Sequence, residues 1–145
     1  MVKRMRKGFT LVELLIVIVI IGILAAALLL SSGSATDSAE ASTVVSDLRS
    51  LASATMMWYG DNYGATAPPA NMADIATYAA NPAKYTTGYT VTQVGNGWLV
   101  GNTSLTAKAG VQQKLVDRAS AVGLYQANGT SLYALGGTSI YMHAR

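Results

Sequence analysis

The sequence predicts an α+β chain, in which one long N-terminal α-helix packs against a small antiparallel β-sheet. Three observations carry this expectation. Residues Phe9 to Leu30 form a predominantly apolar run that holds one charge, Glu13. Val44, Leu48, Leu51 and Thr55 then recur at i, i+4, i+7 and i+11, the spacing of one helical face. Beyond Pro68-Pro69, short stretches rich in Thr, Tyr and Val alternate with Gly- and Asn-containing turns, the pattern of a small sheet.

The apolar run comes first. From Phe9 to Leu30 a helix would measure about 33 Å at 1.5 Å per residue, which matches a hydrocarbon core of about 30 Å. Lys3, Arg4, Arg6 and Lys7 precede Gly8 and supply positive charge on the cytoplasmic side. An ordinary secretory signal peptide, cut near Ala25-Ala26-Ala27, shares this layout. So does a simple membrane anchor. Neither accounts for Gly8 and Glu13 at their spacing, and the core from Leu14 to Leu30 exceeds a usual signal core.

Gly8-Phe9-Thr10-Leu11-Val12-Glu13, behind a basic leader and ahead of Ile20-Ile21-Gly22-Ile23-Leu24-Ala25-Ala26, resembles the class III signal of type IV pilins and pseudopilins. The resemblance implies cleavage after Gly8 by a membrane-embedded prepilin peptidase, with methylation of the new terminus at Phe9. It also implies that Glu13 pairs with the N-terminus of a neighbouring copy. An inner-membrane assembly platform and its ATPase would then build a homo-oligomeric helical filament. Such a chain starts in the bacterial inner membrane and ends in an extracellular pilus. The implied layout is a removed leader at 1–8, a transmembrane and filament-core helix at 9–30, an amphipathic helix at 31–60 and a pilin-like head at 61–145.

Glu13 can be argued from physics as well. A charge at the bilayer centre costs about 2.5–3.5 kcal/mol, so an unpaired carboxylate there is disfavoured. After Glu13 no basic residue occurs before Arg49. Cutting at Gly8 creates an ammonium at Phe9, with a reference pKa of about 7.7–8 and so largely protonated at neutral pH. A second copy can bring that ammonium to Glu13. The pair fixes the axial stagger between subunits, because misregister strands a charge in apolar surroundings. Methylation keeps the charge.

Composition bounds the rest. The 145 residues leave room for one modest domain after the helix. The net charge is +3, yet the leader alone holds four basic residues. From Phe9 onward six basic and seven acidic residues give −1, so the charge gives no reason to infer nucleic-acid binding. There are no cysteines, which excludes thiol chemistry, Cys-based zinc sites and the C-terminal disulfide frequent among type IVa pilins.

The remaining elements follow in order. Relatives often carry a proline where Leu30 stands here, so no proline kink is expected; Gly33 leaves a softer point instead. On the amphipathic half, Asp37, Glu40, Asp47 and Arg49 fall mostly off the apolar stripe, and Met56, Met57 and Trp58 read as core. Gly60 to Gly64 and Pro68-Pro69 stop the helix. A short helix from an Asn71 cap reaches about Ala80, before Asn81-Pro82. Tyr85–Val94 and Trp98–Val100 read as strands joined at Gly95-Asn96-Gly97. These glycines miss the dinucleotide-binding spacing by one residue. A helix over Ala107–Val122 ends at Gly123, and Lys108, Lys114 and Arg118 give it a small basic face diluted by Asp117. A second hairpin turns at Asn128-Gly129, between Leu124–Gln126 and Leu132–Leu135, and Thr138–Met142 forms a last strand.

Catalysis finds no support. His143, the only histidine, lies at the C-terminal end, where exposure or fraying is the default. Asp61, Asp74 and Asp117 have no metal-ligand spacing, and no acidic residue follows Asp117, against the C-terminal calcium site of some secretion pseudopilins. The expectation is therefore a non-enzymatic subunit without metal or cofactor. Two roles stay open: a major pilin serving adhesion, twitching motility or DNA uptake, or a minor pilin or pseudopilin of a type II secretion or competence machine.

Overall fold

The computed structural model describes residues 8–69, 71–105 and 108–145. The element order is α1 (Leu11–Asp61), α2 (Met72–Ala76), β1 (Tyr89–Val94), β2 (Gly97–Asn102), α3 (Ala109–Val122) and β3 (Ile140–His143), with a 3-10 turn at Pro82–Tyr85 between α2 and β1. The class is α+β and pilin-like: a long N-terminal helix and a three-stranded antiparallel sheet in the order β1-β2-β3. The chain divides between Thr36 and Asp37 into two compact units.

The first unit holds the apolar part of α1. Helical hydrogen bonding continues through Gly33, the expected soft point, where the Thr36 hydroxyl donates to the Gly33 carbonyl at 2.9 Å. The leader residues Met1–Lys7 lie outside the described residues.

The second unit is built on the stripe read from the sequence. Ala41, Val45, Leu48, Leu51 and Thr55 are buried along one face of α1. Val111, Leu115 and Ala119 of α3, Ile75 and Ala76 of α2, Val100 of β2 and Ile140 and Met142 of β3 complete the core. Each buried Leu or Ile contributes about 1.5–3 kcal/mol by leaving water. Thr55 tolerates full burial because its hydroxyl donates to the Leu51 carbonyl one turn back at 2.8 Å.

The sheet forms where small residues allow it. β1 and β2 pair from Tyr89↔Asn102 to Val94↔Gly97, leaving the two-residue loop Gly95-Asn96. Gly95 takes a positive φ of 60°, as the first position of a tight hairpin turn requires. β3 pairs with β2 from Leu99↔His143 to Asn102↔Ile140. Opposite Tyr141 stands Gly101; a Cβ there would lie 2.4 Å from the tyrosine ring, so the glycine makes room for an aromatic cover over its own strand.

Several boundaries differ from the sequence reading. α2 ends at Ala76 rather than Ala80, and the remainder tightens into turns in which Tyr78 and Ala79 donate to Ile75 and Ala76. Asn71 sits at the cap position in extended backbone, with no side-chain cap bond. β1 starts at Tyr89 because Pro82 opens a 3-10 turn through Tyr85, and Gly88, at φ 75°, redirects the chain. The described part of α3 begins at Ala109, and the expected start at Ala107 lies outside the described residues. The second hairpin shrinks to isolated bridges, Tyr125↔Leu132 and Tyr125↔Tyr141. There the Asn128 side chain takes the backbone N–H groups of Thr130 and Ser131, so the loop closes on a side chain. β3 runs one to two residues later than expected.

Met56 and Met57 depart from expectation, while Trp58 packs against the core as expected. Met56 and Met57 are 49% and 56% exposed rather than core: by helical phase Met57 falls opposite the line through Leu48 and Thr55, and Met56 on its flank. Trp58 meets Trp98 at 5.8 Å between centroids, while Tyr59 meets Trp98 edge-on at 5.4 Å and lies under the Arg145 guanidinium at 4.0 Å. His143 is exposed yet not frayed: it lies in β3, its Nε2 2.8 Å from the Gly129 carbonyl and its ring edge-on to Tyr125.

Asp47 is the largest departure. It is buried, and it accepts Lys84 Nζ at 2.6 Å on Oδ1 and the Tyr89 hydroxyl at 2.9 Å on Oδ2. One carboxylate thus ties α1 to the 3-10 turn and to β1. Lys84 is partly exposed, so the ion pair alone is worth little; the two hydrogen bonds to a buried acceptor matter more. Asp47→Ala is expected to destabilise the second unit by about 2 kcal/mol, read as a lowered denaturant midpoint. A change below about 0.5 kcal/mol would contradict the assignment. Burial first, and the Asp47 bond second, push the Tyr89 phenol above its ordinary value. A folded-state value above the unfolded one stabilises fully below about pH 10 and is lost as pH rises further. Alkaline melting curves should therefore fall above about pH 10, and Tyr89→Phe should flatten part of that fall.

Candidate functional site

The sequence-predicted site residues, Gly8, Phe9 and Glu13, lie together at the start of α1. Gly8, Phe9 and Thr10 have no regular secondary structure, and the helix begins at Leu11. The Gly8–Phe9 bond therefore sits in backbone that needs no unwinding to be presented to a peptidase. Gly8 is exposed, and a Cβ placed on it would meet nothing within 4 Å. Phe9 is 84% exposed.

What sets the helix start is a device the sequence reading passed over. Thr10 and Glu13 form a reciprocal capping box. The Glu13 backbone N–H donates to Thr10 Oγ1 at 3.2 Å, and Glu13 Oε2 accepts the Thr10 backbone N–H at 2.8 Å. The Thr10 hydroxyl also donates to Glu13 Oε2, again at 2.8 Å. The signal was present as Thr-x-x-Glu ahead of an apolar run. Two otherwise orphaned N–H groups of the first turn are satisfied this way, which matters most where no water can replace them.

The same contacts hold the Glu13 side chain against the helix end, with its carboxylate four residues from Phe9. Among the described residues Glu13 has no ion-pair partner. Around it, Leu11, Val12, Leu14, Leu15, Ile16 and Val17 are all exposed. The apolar window of α1 has a mean hydropathy of 3.2, and none of it is buried within the chain. Length and hydropathy suffice to cross a membrane. The arrangement places the Gly8–Phe9 bond and the Glu13 carboxylate at the start of an exposed apolar helix.

No comparable chemistry gathers elsewhere. Among the described residues no group of three His, Cys, Asp or Glu side chains could hold a metal ion. Asp61 accepts the Tyr78 hydroxyl at 2.7 Å, and Asp117 accepts Gln113 Nε2 at 2.8 Å, each a local contact.

Residues 3–29 match the family model of the prokaryotic N-terminal methylation motif. No curated protein and no solved structure matches the chain. The motif supports a type IV pilin-type prepilin, a family of structural rather than enzymatic proteins. Its class III signal implies processing by prepilin peptidase and handling by pilus assembly machinery. Signal and apolar helix together are consistent with membrane insertion before assembly.

Removing the Thr10 hydroxyl breaks one half of the capping box. Thr10→Ala is expected to cost the first turn of α1 about 1 kcal/mol. Hydrogen exchange should report faster amides at Leu11 to Glu13, with residues beyond Ile18 unchanged; equal protection in both proteins would contradict the cap.

Proposed function

We propose that this chain is the structural subunit of a type IV pilus-like filament. Prepilin peptidase removes Met1–Gly8 and methylates Phe9, and the mature subunit waits in the inner membrane until it is drawn into the fibre. Glu13 then accepts the Phe9 ammonium of a neighbouring copy. The filament core is made from the apolar parts of many α1 helices, with the heads outside.

The observation that carries this reading is the uncovered surface of α1. Its large aliphatic side chains from Leu11 to Leu29 are exposed wherever the structure describes them. A continuous patch of that kind marks a membrane or protein interaction surface. Lipid covers it before assembly and neighbouring helices cover it afterwards. In both settings the one acid needs a counter-ion, and the terminus released at Phe9 is the nearest chemistry that supplies one.

The second reading, a minor pilin or pseudopilin of a secretion or competence machine, draws support from Leu30 in place of the usual proline. Abundance separates the two. Mass spectrometry of sheared surface filaments should find a chain that begins at methylated Phe9 and dominates the preparation. Trace amounts would favour the minor role, and a mature protein that retains Arg6 and Lys7 as a dispersed monomer would overturn both. Glu13→Ala is expected to leave cleavage intact and to reduce filament yield at least about tenfold, since a lost buried charge partner costs several kcal/mol. Wild-type yield would contradict the pairing.

A further inference from the structure

The small basic face expected on α3 does not survive as a unit. Lys108 turns to Glu40 at 2.9 Å, an exposed ion pair that holds its ammonium above the usual range. Arg118 turns instead toward α1, where its Nη1 donates to Ser42 Oγ at 2.8 Å. Arg49 stands farther along α1, on the same cleft. Ser42, Val45, Ser46, Arg49, Arg118 and Val122 line one cleft of about 270 Å³ between α1 and α3.

Two guanidinium groups thus line one cleft, Arg49 exposed and Arg118 half-buried, with Val45 and Val122 as its apolar walls. Among the described residues no salt bridge reaches Arg49 or Arg118. Asp47 bonds Lys84 and Tyr89, Glu40 bonds Lys108, and Asp117 accepts the Gln113 amide. Ser42 donates its own proton to the Ser38 carbonyl and accepts from Arg118, so it aims that guanidinium.

We propose that the cleft between Arg49 and Arg118 is a binding site for a tetrahedral oxyanion, a phosphate or sulfate group. A guanidinium fork binds two such oxygens bidentately, and two forks on one cleft can share one tetrahedral ion. The Ser46 hydroxyl adds a donor at the rim. The site is local: the mature chain carries a net −1, so a small oxyanion suits it better than a polyanion that needs an extended basic surface.

Calorimetric titration of the full chain in a maltoside detergent tests this, with inorganic phosphate and glycerol 3-phosphate as probes and sodium chloride of matched ionic strength as control. Saturable one-to-one binding is expected for the phosphates and none for chloride. Arg49→Gln and Arg118→Gln should each weaken binding about tenfold or more, Arg49→Lys should recover part of the loss, and Lys114→Gln should leave it unchanged. Unchanged helicity and melting temperature establish that the variants fold. Equal affinities for the two probes point to the free ion, and glycerol 3-phosphate tenfold tighter points to a phosphate ester such as a lipid headgroup; either supports the site. No saturable heat, or the same affinity in both arginine variants, would overturn it.

Discussion

From Leu11 to Leu29 helix α1 carries Val, Ile and Leu side chains, with one carboxylate near its start, and those the structure describes are exposed. At about 25 cal/mol per Å² of apolar area, leaving such a surface in water is untenable. On the proposed reading, the requirement to cover it governs where the protein resides and what a partner would have to offer. A spanning helix satisfies its backbone internally, and the capping box of Thr10 and Glu13 extends that satisfaction to the first turn. The carboxylate is the single element that neither lipid nor aliphatic neighbours can accommodate. Everything proposed about processing and assembly follows from its need for a cation.

The second unit answers a different demand, a small domain without disulfides. It is held by packing of the α1 stripe against α3 and the sheet, and by Asp47, which links three segments far apart in sequence. Aromatic stacking around Trp98 fastens the C-terminal Arg145 back onto α1.

Legibility in the sequence followed the range of the forces involved. Periodic patterns and turn chemistry act locally, so the apolar run, the stripe through Leu48 and Leu51, the Gly95-Asn96 hairpin and the Gly123 cap were all readable in advance. Met56 and Met57 are apolar yet exposed, since neither lies on the buried line through Leu48 and Leu51 and only the tertiary fold decides how far the flank is covered. The burial of Asp47 and the contacts of the exposed His143 are not legible in the sequence, because Lys84, Tyr89, Tyr125 and Gly129 are brought near only by tertiary folding. At the site, Gly8, Phe9 and Glu13 stood out by their spacing. Thr10 did not, although its capping pattern lay in plain view; the charge of Glu13 drew attention from its second role at the helix end. The cleft of Arg49 and Arg118 was out of reach, since the two residues belong to different helices.

The central claim is that Glu13 finds its counter-ion on a sister subunit, and a density map of the assembled fibre at side-chain resolution tests it most directly. The account predicts the Glu13 carboxylate within about 4 Å of the Phe9 amine of an adjacent copy, inside a core of packed α1 helices. A map in which Glu13 faces no cation, or in which the apolar helices lie outside the fibre core, would contradict it.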